Sequence, residues 1–118
     1  MPERVLVVDD HMGFRRHVSR LLQEIGREVV GEAGTGKEAL SESRRLKPDL
    51  VLLDIQLPDL DGFAVATTLS SEPEPPAVLL VSSRDASDYG PRLHGCGALG
   101  FITKADLSAE SLVALLGA

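Results

Sequence analysis

Four short apolar runs punctuate the chain, and each stops at a residue able to bind phosphate or metal. Val5-Leu6-Val7-Val8 ends at Asp9-Asp10, Leu50-Val51-Leu52-Leu53 at Asp54, Val78-Leu79-Leu80-Val81 at Ser82, and Leu99-Gly100-Phe101-Ile102-Thr103 at Lys104. The runs are too brief for helices, are rich in Val and Leu, and lack in/out alternation, which predicts strands buried on both faces. Between them the apolar spacing turns helical. Phe14, Val18, Leu21, Leu22 and Ile25 line one helix face that Gly26 ends. Glu28 to Ala33 reads as a second strand closed by Gly34-Thr35-Gly36, and Lys37 to Leu46 as a helix that Lys47-Pro48-Asp49 stops. Gly62 to Ser70 predicts a third helix before the rigid break Glu72-Pro73-Glu74-Pro75-Pro76. Alternation calls for a helix over Ala86 to Gly95, cut in two by Gly90-Pro91. Ser108 is placed to cap a last short helix carrying Ser111, Leu112, Leu115 and Leu116.

Strand and helix alternate five times, which predicts an α/β fold with a parallel sheet covered by helices on both faces. In such sheets ligands bind beyond the carboxyl ends of the strands, where strand order reverses. Asp9, Asp10, Asp54, Ser82 and Lys104 all sit at such ends. A chain of 118 residues is expected to form one domain, 1–118, with a real core and no room for a second. Aromatics are only 3% of it, so Val, Leu, Ile and Ala must build that core. The formal charge of -6 argues against this domain holding a nucleic-acid backbone, which needs clustered Lys and Arg. Cys96 is the single cysteine, so no internal disulfide forms, and neither a long apolar span nor a signal-peptide pattern is seen. A cytoplasmic protein without a membrane segment is the expectation.

Grouped carboxylates repel, and a divalent cation removes that cost. Magnesium prefers oxygen ligands and keeps several waters, so carboxylates, a carbonyl and a phosphoryl group suit it. The expected chemistry is attack by Asp54 on phosphorus to form an acyl phosphate. Lys104 supplies fixed positive charge for the phosphoryl oxygens, and Ser82 a hydroxyl that can bond the new group.

With these residues in place, the chain closely resembles the receiver domain of two-component response regulators over its whole length. The resemblance rests on the acidic pair Asp9-Asp10, Asp54, Ser82 and Lys104 after successive strands. It rests also on the loop Asp54-Ile55-Gln56-Leu57-Pro58-Asp59-Leu60-Asp61-Gly62, with its Asp-x3-Pro-x3-Gly spacing. It implies a flavodoxin-like (βα)5 doubly wound sheet in three layers, and magnesium ligated by Asp10, Asp54 and the backbone carbonyl of Gln56, with Asp9 acting mainly through water. Phe101 falls on the aromatic switch position that works with Ser82. Gln56 and Arg84 occupy positions that tune the lifetime of the acyl phosphate. The implied donor is a phosphohistidine on a sensor histidine kinase or phosphotransfer protein. The implied readout is the surface built by the last strand and the helices flanking it, through which such domains also pair as homodimers. His11 and Gly31-Glu32-Ala33-Gly34 resemble the subfamily that often carries a helix-turn-helix output domain, absent from this chain.

Departures are present too. Ala105 follows Lys104 where many receivers have Pro, so a trans bond is expected, and Phe101 stands where Tyr is commoner. Gly31 to Lys37 has P-loop spacing, but Glu38 replaces the required Ser or Thr. Gln56 excludes a haloacid-dehalogenase-like phosphatase, which needs a second Asp there. His11, His17 and His94 lack metal-ligand spacing. A receiver-like scaffold that docks partners without phosphorylation is the alternative reading.

Overall fold

The computed structural model describes residues 2–117. Five strands, β1 (Arg4–Val8), β2 (Glu28–Ala33), β3 (Leu50–Asp54), β4 (Ala77–Ser82) and β5 (Gly100–Thr103), form one sheet in the order β2-β1-β3-β4-β5. Every pairing is parallel. Four α-helices, α1 (Met12–Glu24), α2 (Gly36–Leu46), α3 (Gly62–Ser70) and α4 (Ala109–Leu116), complete the flavodoxin-like arrangement.

Alternation along the strands divides the core in two. Val5, Val7, Leu50, Leu52, Leu79 and Val81 point to the face covered by α1 and α4, where Val18, Leu22 and Leu112 meet them. Leu6, Val8, Val51, Leu53, Val78 and Leu80 point the other way, against Ala39 of α2 and Val65, Ala66 and Leu69 of α3. Residues 5–8, 50–53 and 78–81 are all completely buried, which is why these runs carry no polar position. The helix starts follow their caps. Thr35 accepts the N–H of Glu38, Asp61 that of Phe63, and Ser108 that of Ser111. Lys47, in the left-handed region at φ 49°, ends α2 just before Pro48.

The helix expected over Ala86 to Gly95 does not form. Two 3-10 turns, Ala86–Asp88 and Gly90–Leu93, take its place. Gly90 sits at φ +57°, outside the helical region, and Pro91 has no N–H to donate to the preceding turn, so no α-helical ladder can pass through. Tyr89, Leu93 and Cys96 still pack on the core face with α2 and α3. The fourth strand-to-helix unit is thus a strap, anchored by side chains in place of a helix face. The strand expected from Leu99 begins its ladder at Gly100, although the Leu99 N–H already bonds the Val78 carbonyl at 2.8 Å. Among the described residues no peptide is cis, and no helix is long and apolar enough to cross a membrane.

Candidate functional site

From β1 the chain steps out to β2 and returns to β3 on the other side, so the sheet order reverses beside β1. The ends of β1 and β3 lie next to each other, with Val8 opposite Leu53. That places Asp9 and Asp54 side by side at the open end of the sheet, as expected for a ligand crevice.

Asp9 is the most enclosed acid, fully buried. Its Oδ1 accepts the His11 N–H at 2.8 Å, and its carbonyl accepts Arg15 Nη1 at 2.5 Å. Oδ2 lies 2.6 Å from Lys104 Nζ, an ionic contact without the alignment of a hydrogen bond. The same ammonium stands 3.6 Å from Asp54 Oδ2 and 4.3 Å from the centre of the Phe14 ring. Burial pushes the Asp54 carboxyl up from 3.8 to about 6, against the Gln56 N–H that holds its Oδ1 at 3.1 Å. The negative charge of Asp9 pushes in the same direction as burial, and Lys104 opposes it.

Asp10 and His11 are exposed at the rim. His11 Nδ1 lies 3.0 Å from Asp10 Oδ1 and 3.3 Å from Asp9 Oδ1. Ligand atoms of Asp9, Asp10 and His11 fall within 4.8 Å of one another, so the fold brings to the acidic pair a histidine that spacing alone had set aside. Asp54 joins the pair through Lys104 and stands outside that tight group. Of the two acids that Lys104 meets, Asp9 is the nearer, at 2.6 Å against 3.6 Å for Asp54. Two buried carboxylates, Asp9 and Asp54, face one ammonium here, Asp10 lies beside them at the rim, and Asp9 Oδ2 is left without an aligned donor. This donor set fits a hard divalent cation.

Ser82 is fully buried at the end of β4. Its Oγ accepts the Arg84 N–H at 3.1 Å and lies 2.5 Å from the Tyr89 hydroxyl. Tyr89 meets Phe63 and Phe101 edge-on, at ring-centre distances of 5.5 and 6.0 Å. Phe101 is half-buried. The Arg84 side chain is exposed, at an open cavity of about 410 Å³ lined also by Gln56, Pro58, Asp61, Tyr89 and Arg92.

The loop after β3 is held from both ends. Asp59 accepts the N–H groups of Gly36 (2.7 Å) and Lys37 (3.0 Å) at the start of α2, and these bonds lower its carboxyl below the usual range. Asp61 caps α3 with Oδ1 and pairs with Arg92 through Oδ2. The Arg92 guanidinium also lies 4.4 Å from the centre of the Phe63 ring. Sequence reasoning saw Asp59 and Asp61 only as spacers and missed Phe14, Tyr89 and Arg92. The one usable signal was that Tyr89 is the sole tyrosine of the chain.

A family model described as the response regulator receiver domain matches residues 5–116. Response regulator GacA of Pseudomonas syringae is 40% identical over 114 residues, covering 95% of this chain and 53% of that protein. Transcriptional regulatory protein PdtaR of Mycobacterium tuberculosis is 37% identical over 106 residues, covering 88% of this chain and 50% of that protein. The chain thus spans about half the length of the curated relatives it matches. Among solved structures, a NarL signal receiver domain from Mycobacterium tuberculosis superposes with a TM-score of 0.87 at 38% identity, over 96% of this chain and 91% of that one. Chemotaxis response regulator CheY4 of Vibrio cholerae gives a TM-score of 0.85 at 26% identity, over 98% and 97%.

Proposed function

The chain belongs to the response regulator receiver domain family, and from that premise we propose that Asp54 is its phosphoacceptor. The observation that carries the reading is the convergence of Asp54 and Asp9 on Lys104, at 3.6 and 2.6 Å. An Asp54 oxygen attacks phosphorus, the new O–P bond forms as the bond from phosphorus to a phosphohistidine nitrogen breaks, and that nitrogen keeps the electron pair and takes up a proton. Lys104 supplies fixed positive charge to the transferred oxygens, and the Ser82 hydroxyl donates a hydrogen bond to them. Asp9, Asp10, Asp54 and the backbone carbonyl of Gln56 would hold magnesium, which supplies charge neutralisation at the phosphoryl group when bound. Gln56 and Arg84, beside the open cavity, control how water reaches the acyl phosphate.

The domain catalyses its own phosphorylation and dephosphorylation and no other turnover. Its partner is a sensor histidine kinase or phosphotransfer protein in the cytoplasm. Its readout is the surface formed by the 86–93 strap, β5 and α4, which acts on an output domain, with transcription regulation as the output class, or pairs with a second copy. The domain itself does not bind nucleic acid.

Incubation with acetyl phosphate and magnesium should add one phosphoryl group by intact mass to the wild type and none to Asp54→Asn. Full labelling of Asp54→Asn overturns the assignment.

A further inference from the structure

We propose that Tyr89 is a positioning residue that holds Ser82 in the unphosphorylated protein and is released when Ser82 turns to the phosphoryl group. The inference rests on the reading of Asp54 as acceptor. Ser82 Oγ has two neighbours, the Arg84 N–H at 3.1 Å and the Tyr89 hydroxyl at 2.5 Å. A serine hydroxyl has one hydrogen to give. Besides accepting from Arg84, Oγ shares one hydrogen bond with the Tyr89 hydroxyl, in which either group can donate, and turning Ser82 to give its hydrogen to a phosphoryl oxygen breaks that bond.

Tyr89 is well placed to pass the change on. It sits between the two 3-10 turns, one residue before Gly90 at φ +57°, where single bonds from Tyr89 N–H to the Ala86 carbonyl and from Arg92 N–H to the Tyr89 carbonyl stand in place of an α-helical ladder. Its ring touches Phe101 and Phe63 edge-on. Phe101 has no hydroxyl, so the hydroxyl facing Ser82 is delivered by the strap and not by β5. The strap is otherwise tied to the loop after β3 by the Arg92–Asp61 pair. Loss of the Ser82–Tyr89 bond therefore frees the strap at one of its polar anchors, and couples Asp54 to the surface beside β5.

Because the chain has one tyrosine and no tryptophan, its ultraviolet emission reports Tyr89 alone. Beryllofluoride with magnesium, titrated into the wild type, should change tyrosine emission with the same midpoint as calorimetric binding, and Asp54→Asn should show neither. Tyr89→Phe keeps the ring and removes the competing hydroxyl. It should half-saturate at a beryllofluoride concentration about three- to tenfold lower, the range that one ordinary hydrogen bond commands. Calorimetric binding without a change in wild-type tyrosine emission overturns the proposal, as does an unchanged or raised midpoint in Tyr89→Phe. The emission test needs no variant to fold. A wild type that takes up no beryllofluoride overturns the Asp54 reading, and this inference with it.

Discussion

Lys104 Nζ lies 2.6 Å from Oδ2 of Asp9, a carboxylate with no exposure to solvent. The lysine is also the only side-chain cation within ion-pair distance of Asp54 among the described residues. One ammonium thus offsets two buried carboxylates that repel each other.

Lys104→Ala should therefore lose stability as well as signalling. Removing one member of a buried pair leaves the other charge uncompensated, and the expected loss is about 3 kcal/mol at neutral pH in urea unfolding. Added magnesium should recover part of it, because a divalent cation replaces the missing charge. A variant as stable as the wild type without metal would show that Lys104 does not balance these acids.

Asp54 makes metal-free stability depend on pH in an unusual direction. Its carboxyl titrates at about 6 in the folded protein against 3.8 ordinarily, so the folded state holds the proton more tightly than the unfolded chain. The stabilisation from that proton is complete below 3.8 and is lost as the pH rises through 6. The amount is on the order of 3 kcal/mol. The difference in unfolding free energy between Asp54→Asn and the wild type should widen over this window in the variant's favour. A constant difference from pH 4 to 7 would contradict the raised value.

Gly62 opens α3 against the backbone it follows. A Cβ there would stand 2.5 Å from Ile55 Cα and 2.6 Å from the Asp54 carbonyl oxygen, neither of which can turn aside. Gly62→Ala should cost about 1–3 kcal/mol and slow phosphorylation by shifting the loop that carries Gln56. Chemical denaturation and phosphorylation rates check both parts, and unchanged values would place the helix start elsewhere.

The Arg92–Asp61 pair is roughly half-exposed on both sides, 56% and 44%. Such pairs add less than about 1 kcal/mol to global stability. Arg92→Ala should therefore leave the melting transition nearly in place while speeding amide hydrogen exchange through residues 86–97. Exchange as slow as the wild type's across that segment would mean the strap is held without the Arg92–Asp61 pair.

The sheet was legible because its three inner strands are saturated with apolar side chains. Residues 5–8, 50–53 and 78–81 have only one environment that suits them, the middle of a covered parallel sheet. The polar residues at their ends were legible for the same reason, since each apolar run announces where it stops. The strap was not. The alternation of strands and helices calls for a helix over Ala86 to Gly95, yet Gly90 and Pro91 remove the ladder that would carry it, and its side chains settle by reach to Ser82, Phe63 and Asp61.

Spacing along the chain was enough to say which residues end strands and which loop bends at Pro58, because both follow from local backbone limits and from burial. It could not say who pairs with whom. That Lys104 takes Asp9 at 2.6 Å before Asp54 at 3.6 Å, that His11 closes on the acidic pair, and that Tyr89 reaches Ser82 are consequences of packing. Contacts of this kind join residues far apart in the chain or across a turn of unforeseen geometry. Their distances are set when the two layers close on the sheet, and no local pattern encodes them.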